Sequence, residues 1–205
     1  MDFDTLAKKS VVEKTADALT KKGYEVFVVG KGSHALKKIK KLIPEGVSVM
    51  NGSSTTLVQI GYLKLLESRK HKLNDLHAKV TAEPNKEKSR KLRRESVLSD
   101  YYLGSVHALI ENGEFVIASN TGSQIPHIVF TSPNLIFVVS TKKIVPTLDA
   151  AMDRLTKHVV PMENKYMLKT YKVGTNLNKL LIFKGELPLL ARKITFILVN
   201  ENLGY

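Results

Sequence analysis

Apolar and polar positions alternate along this chain in a regular order of periods. Val11/Val12, Thr15/Ala16 and Leu19 recur at a spacing of four and stop at Gly23, which predicts a helix with a glycine at its C-terminal end. Tyr24–Val29 is a short run rich in β-branched and aromatic residues, ended by Gly30-Lys31-Gly32, and reads as a strand. Ser33 is placed to cap a following helix whose Leu36, Ile39 and Leu42/Ile43 share one face. Pro44-Glu45-Gly46 is a turn, and Val47–Met50 is a second buried strand. Strand, glycine loop, amphipathic helix, turn and strand make a βαβ unit, which predicts a parallel sheet with helices on its faces.

The same reading carries through the rest of the chain. Asn51-Gly52-Ser53-Ser54-Thr55-Thr56 follows the second strand and opens a helix bearing Leu57, Ile60 and Leu63. From Lys64 to Leu98 the chain is basic and mostly helical, with a break at Pro84-Asn85, and reads as an excursion from the sheet. Val106–Ile110 and Glu114–Ala118 flank Asn112-Gly113 as a hairpin. Ser119-Asn120-Thr121-Gly122-Ser123 then leads into a short helix near Ile125–Phe130. Leu135–Val139 is the most apolar strand, and Leu148, Ala151, Met152 and Leu155 mark a helix that Pro161 is expected to end. Between Met162 and Pro188 only Lys179–Phe183 suggests a strand, and Ile194–Val199 closes the sheet. The expected fold is one α/β domain over residues 1–205, a mostly parallel sheet flanked by helices.

Composition narrows the function. At 205 residues, 43% hydrophobic and 25% charged, the chain is an ordinary globular sequence. It has no cysteine, which excludes disulfides, thiolate zinc sites, cysteine nucleophiles and cysteine-ligated clusters within it. Its apolar runs are too short to cross a bilayer, and Met1-Asp2-Phe3-Asp4 does not start a secretion signal, so a cytoplasmic location with no membrane partner is expected. The formal charge of +13 invites a nucleic-acid reading, with Lys64–Arg94 as the footprint. Only six of the basic residues are arginine, however, and dispersed lysine more often makes a solvated surface, so the nucleic-acid module ranks below a small-molecule protein.

Two loops carry candidate chemistry. Gly52, Ser53, Ser54, Thr55 and Thr56 lie where a parallel strand gives way to a helix, where open α/β sheets hold ligands, and their hydroxyls suit a phosphate or carboxylate. Capping of the helix by Ser53 or Ser54 is the plainer alternative. Asn120, Thr121, Gly122 and Ser123 form a second small polar loop after a strand, able to converge on the same crevice. Lys143, just beyond the strand ending at Val139, would add positive charge there, and Glu111 at the hairpin turn is the acid/base candidate. The six histidines are scattered without metal-ligand spacing, so neither a metal nor a cofactor is expected.

The motifs, in order, resemble a known family. Ser53-Ser54-Thr55-Thr56-Leu57-Val58-Gln59-Ile60-Gly61 is similar to the Ser-rich loop and helix of the LUD-domain proteins, the lactate-utilisation protein C family. Ser99–Glu114, Leu135–Asp149 with Lys143-Ile144-Val145-Pro146, and Ile197–Tyr205 resemble three further family segments. The resemblance implies a fold like that of ribose-5-phosphate isomerase and the CoA transferases, in which the Ser/Thr loop holds a phosphate, acyl or CoA group and a later strand and turn supply a carboxylate. It implies a role in lactate or related 2-hydroxy-acid metabolism, beside iron–sulfur partner proteins. A non-catalytic subunit scaffolding those partners is the alternative, with a homo-oligomer left open. The chain departs from the pattern twice. Gly122-Ser123-Gln124 stands where many relatives carry a Gly-Asn-Arg-like triplet, and Met162–Lys193 lacks the cysteine found there in many.

Overall fold

A computed structural model of the chain describes residues 2–205. Its strands are β1 (Glu25–Val29), β2 (Ser48–Asn51), β3 (Asn74–Asp75), β4 (Tyr101–Gly104), β5 (Ala108–Ile110), β6 (Phe115–Ser119), β7 (Asn134–Ser140), β8 (Ile144–Val145), β9 (Lys179–Phe183) and β10 (Lys193–Val199). Its helices are α1 (Lys9–Lys21), α2 (Gly32–Leu42), α3 (Thr55–Gln59), α4 (Tyr62–Glu67), α5 (Leu76–Ala82), α6 (Lys86–Glu95), α7 (Leu148–Arg154) and α8 (Val160–Tyr171).

Six strands pair in the order β1-β10-β7-β4-β2-β3, every pair parallel, which is the α/β architecture expected from the βαβ reading. β7 and β10 each lie between two other strands, and their continuous apolar runs are buried on both faces. Leu135, Phe137 and Val139 of β7 join one core cluster, whereas Ile136 and Val138 join another on the opposite face. That second face is covered by α2, α3 and α4 through Ala35, Ile39, Leu57, Tyr62 and Leu66. The first face meets α1 through Val12 and Leu19, and also a second sheet, of order β8-β5-β6-β9.

The second sheet departs from the single sheet that periodicity suggests. The hairpin β5–β6 forms as expected, with Gly113 at φ +84° in its turn. It finds no place in the larger sheet because β4 is already paired on both edges, to β2 and β7. The hairpin instead packs Leu109, Phe115 and Ile117 onto the larger sheet and turns Ala108, Ile110 and Val116 outward to Ala151, Leu155 and Val159. β9 pairs antiparallel with β6, and β10 lies inside the larger sheet, not at its border.

Three local expectations also change. α2 starts at Gly32 with Lys31 as its N-cap residue, so Ser33 lies inside the helix and caps nothing. Pro161 does not stop the helical run. A wide turn over Leu155–Val159 joins α7 to α8, and the proline sits in the first turn of α8, where a missing N–H costs little. Within the basic excursion, Asn74–Asp75 returns to pair with β2, while α6 buries none of its side chains.

Phe115 is the aromatic joint between the sheets, with its ring 4.7 Å from Phe183, 5.2 Å from Phe137 and 5.5 Å from Phe196. Phe115→Ala is expected to lower unfolding free energy by about 3–5 kcal/mol in urea titration. Val58→Ala, at a 54% exposed helix position, should change it by no more than about 0.5 kcal/mol.

Candidate functional site

At the C-terminal ends of the parallel strands, a single helical turn over Thr141–Lys143 carries the chain from β7 into β8, and so from one sheet to the other. Both lysines of that turn are buried. The Lys142 ammonium donates to Asp4 Oδ1 and to Asn202 Oδ1, each at 2.7 Å. The Lys143 amine instead meets the larger sheet. It lies 3.1 Å from Ser105 Oγ, just past β4, 3.2 Å from Thr56 Oγ1 in α3, and 3.3 Å from the Val106 carbonyl oxygen.

No carboxylate accompanies that amine among the described residues. Arg154, also fully buried, spends its guanidinium on three backbone carbonyls, those of His107, Phe3 and Tyr205. Burial, then the charges of Arg154 and Lys142, pushes the Lys143 pKa down to about 7. Burial, with Lys143 and Arg154 close by, pushes His107 down to about 3, and its Nδ1 accepts from the Ala118 N–H. Asp4 is held below the usual carboxylate range by its hydrogen bond to Lys142. Of Lys142, Lys143 and Arg154, only Lys142 is paired with a side-chain carboxylate, that of Asp4.

A strap over Glu201–Tyr205 covers the cluster. Leu203 is buried, the Gly204 N–H donates to Gln59 Oε1 at 2.6 Å, and the Arg154 guanidinium holds the Tyr205 carbonyl at 2.6 Å. Residue 204 has to be glycine on two grounds. Its φ is +68°, and a Cβ there would run into Thr56 Oγ1 and reach 2.8 Å from Lys143 Nζ. On the outer side of the strap lies an open groove of about 420 Å³, lined by Lys31, Ser33, Lys37, Lys40, Gln59 and Leu203.

The predicted site residues separate into groups. Thr56 and Lys143 meet directly. Ser54 accepts from the Leu57 N–H and caps α3, Ser53 is exposed, and Thr55 begins the helix. Asn120, Thr121, Gly122 and Ser123 bond among themselves and to β9: Asn120 accepts from Asn178 and Lys179, and a Cβ at Gly122 would lie 2.6 Å from Lys179 Cδ. The link between the two loops is the next residue, Gln124. Its Oε1 accepts from the Tyr102 hydroxyl at 3.3 Å, and a Cβ at Gly52 would meet that hydroxyl at 2.6 Å and Gln124 Oε1 at 3.3 Å. The third position of the family's Gly-Asn-Arg-like triplet therefore faces the Gly52 loop. Glu111 is not part of this gathering. The register pairs Leu109 with Ile144, the residue after Lys143, and Glu111 follows the far end of β5, two residues beyond Leu109. Its carboxylate pairs with Lys14 of α1 at 2.8 Å.

Four participants were not singled out in the sequence. Ser105 had a usable signal, as a hydroxyl directly after a strand-ending glycine. Asn51 ends β2 on the same face of the sheet as Val49, and its buried Oδ1 has no hydrogen-bond partner among the described residues. Arg154 and Gly204 act on backbone and on packing, which leave no motif.

The model of the LUD domain matches residues 12–177 of the chain. The crystal structure of a DUF162 family protein from Deinococcus radiodurans has a similar fold, with a TM-score of 0.57 at 12% identity, over 96% of this chain and all of that one. No curated protein matches the sequence. The match over most of its length, with the fold to go with it, makes this chain a member of the LUD-domain family.

Proposed function

We propose that this LUD-domain protein binds a small anion, a carboxylate or phosphate, at Lys143, and serves lactate or related 2-hydroxy-acid metabolism. The observation that carries the reading is the side-chain charge balance beneath the strap: three buried cationic side chains, with Asp4 the one side-chain carboxylate bonded to any of them. Burying an unpaired charge is costly, and an anion beside Lys143 offsets that cost. The ligand's oxygens would take the Lys143 ammonium and the Thr56 and Ser105 hydroxyls as donors. The hydroxyl of a 2-hydroxy acid would donate to Asn51 Oδ1.

A second reading, a subunit that docks redox partners, draws on the other end of the molecule. Leu98, Phe130, Leu187 and Leu189 are exposed by 59–86% and precede β4, β7 and β10. Arg192 holds the segments together through the His127 and Ile128 carbonyls. That patch is at the N-terminal ends of the strands and leaves the Lys143 site free, so the readings are compatible.

Calorimetric titration with L-lactate and with inorganic phosphate is expected to show binding of at least one anion. Lys143→Met should weaken that binding by about tenfold or more, the value of one hydrogen bond to a charged group. Absence of binding by both, or equal affinity in the variant, overturns the reading.

The pH dependence follows from the free amine's pKa of about 7. Only the ammonium form attracts an anion. Below pH 7 the amine is already charged and affinity should be flat. Above it a proton must be taken up with the ligand, so affinity should fall by up to about tenfold per pH unit. Calorimetry in buffers of different ionisation enthalpy reads that proton uptake, and Lys143→Met should abolish it.

A further inference from the structure

The Lys143 amine differs from a structural lysine in its partners and its neighbours. Its three contacts, Ser105 Oγ, Thr56 Oγ1 and the Val106 carbonyl, are all neutral acceptors. The charged groups that press on it, Arg154 and Lys142, are both cations. A buried lysine that only ties loops together is ordinarily paired with a carboxylate, which keeps it protonated and inert. Here the surroundings favour the free base, and a desolvated amine beside other cations is how a lysine becomes a nucleophile.

We propose that Lys143 is a nucleophilic amine that forms an imine with the carbonyl carbon of a 2-oxo acid, entering from the groove beside Gln59 and Leu203. The proposal rests on the reading that an anion binds at Lys143. The nitrogen lone pair adds to the carbonyl carbon, forming the C–N bond, and the carbonyl π pair becomes an alkoxide. That oxygen receives the proton released from nitrogen, a transfer for which the Ser105 and Thr56 hydroxyls, 3.5 Å apart, lie together on one side of the amine. Loss of water leaves the C=N bond to Lys143, and addition of water returns the amine and the 2-oxo acid. Electrons and atoms balance without an oxidant or reductant.

The geometry also says why the acid should be a 2-oxo acid. Its carboxylate is adjacent to the carbonyl, so the field of Lys142 and Arg154 that attracts the anion brings the reacting carbon to the amine. Gly204 is the barrier on the way. It rests on Thr56 and Lys143, and its N–H is held by Gln59, which itself lines the groove. A local opening at Gly204, between the anchors that Lys142 provides at Asn202 and Arg154 at Tyr205, would join the groove to the amine. At neutral pH about half of a group with a pKa near 7 is free base, against less than about one part in a thousand for an ordinary lysine.

The test is reductive trapping of the intact chain with pyruvate and cyanoborohydride, followed by intact mass and peptide mapping. The expected result is one adduct per chain, heavier by pyruvic acid less one oxygen atom, on Lys143. It should form at least about tenfold faster than on any surface lysine, be slowed by L-lactate, and level off in rate above pH 7, where surface lysines continue to climb. Lys143→Arg keeps a cation but cannot form the imine, and should lose the adduct. Should that variant fail to fold, protection of the wild-type chain by lactate carries the same information. Label spread evenly over surface lysines, or Lys143 unlabelled while lactate binds by calorimetry, overturns the imine and leaves the anion site standing. Lys143 unlabelled with no anion bound overturns both. Lys143 labelled with neither lactate nor phosphate binding by calorimetry supports the imine and overturns the reading of a lactate or phosphate site.

Discussion

The turn from Thr141 to Lys143 governs the rest of this structure. A strand that belongs to one sheet ends there, and three residues later the chain is pairing in another. Such a switch has to be anchored from both sides, and every side chain in the turn is used for that. Ser140 and Thr141 hold the segment after β10 through the Glu201 carbonyl and Asn200, Lys142 holds Asp4 and Asn202, and Lys143 holds the ends of β4 and α3. The two sheets can be stacked only if these polar groups are satisfied where the apolar layers part. The charged cluster is therefore a consequence of the topology as much as of any ligand.

That accounts for polarity at the turn but not for its sign. Neutral side chains of similar length would tie the same loops without the desolvation cost of cations. The strap's carbonyl oxygens and the hydroxyls of Thr56 and Ser105 are weak compensation for an ammonium and a guanidinium. The excess of cationic over carboxylate side chains lies at the carboxyl ends of parallel strands, where α/β folds ordinarily place their ligands, and it is this placement that the proposed anion site draws on.

What the sequence disclosed and what it hid follow from the range of the interactions. Strands buried on both faces, such as Leu135–Val139 and Ile194–Val199, and the hairpin at Asn112-Gly113 were legible because local pattern dictates them. Lys179–Phe183 was legible for the same reason in an otherwise opaque region. The division into two sheets was not, because it depends on β4 having both edges occupied by strands distant in the chain. Thr56 and Lys143 stood out as polar residues following strands. Arg154 did not, since its acceptors are backbone atoms of residues 3, 107 and 205, and a carbonyl carries no residue identity. Glu111 attracted notice by its place in a turn, but its partner Lys14 lies 97 residues away, in α1.

The basic helix α6 has a different relation to the molecule. With no side chain buried and its start tied by the Asn85 cap and by Ser89 to the Val80 carbonyl, it is held by few contacts that the sheets would notice. Its amide hydrogens should exchange through a local opening whose free energy is unrelated to that of the strands. The expected consequence is two regimes of time, a slow, aromatic-jointed double sheet and a faster-opening cationic helix whose exchange should leave the lysine at the far end of the strands undisturbed.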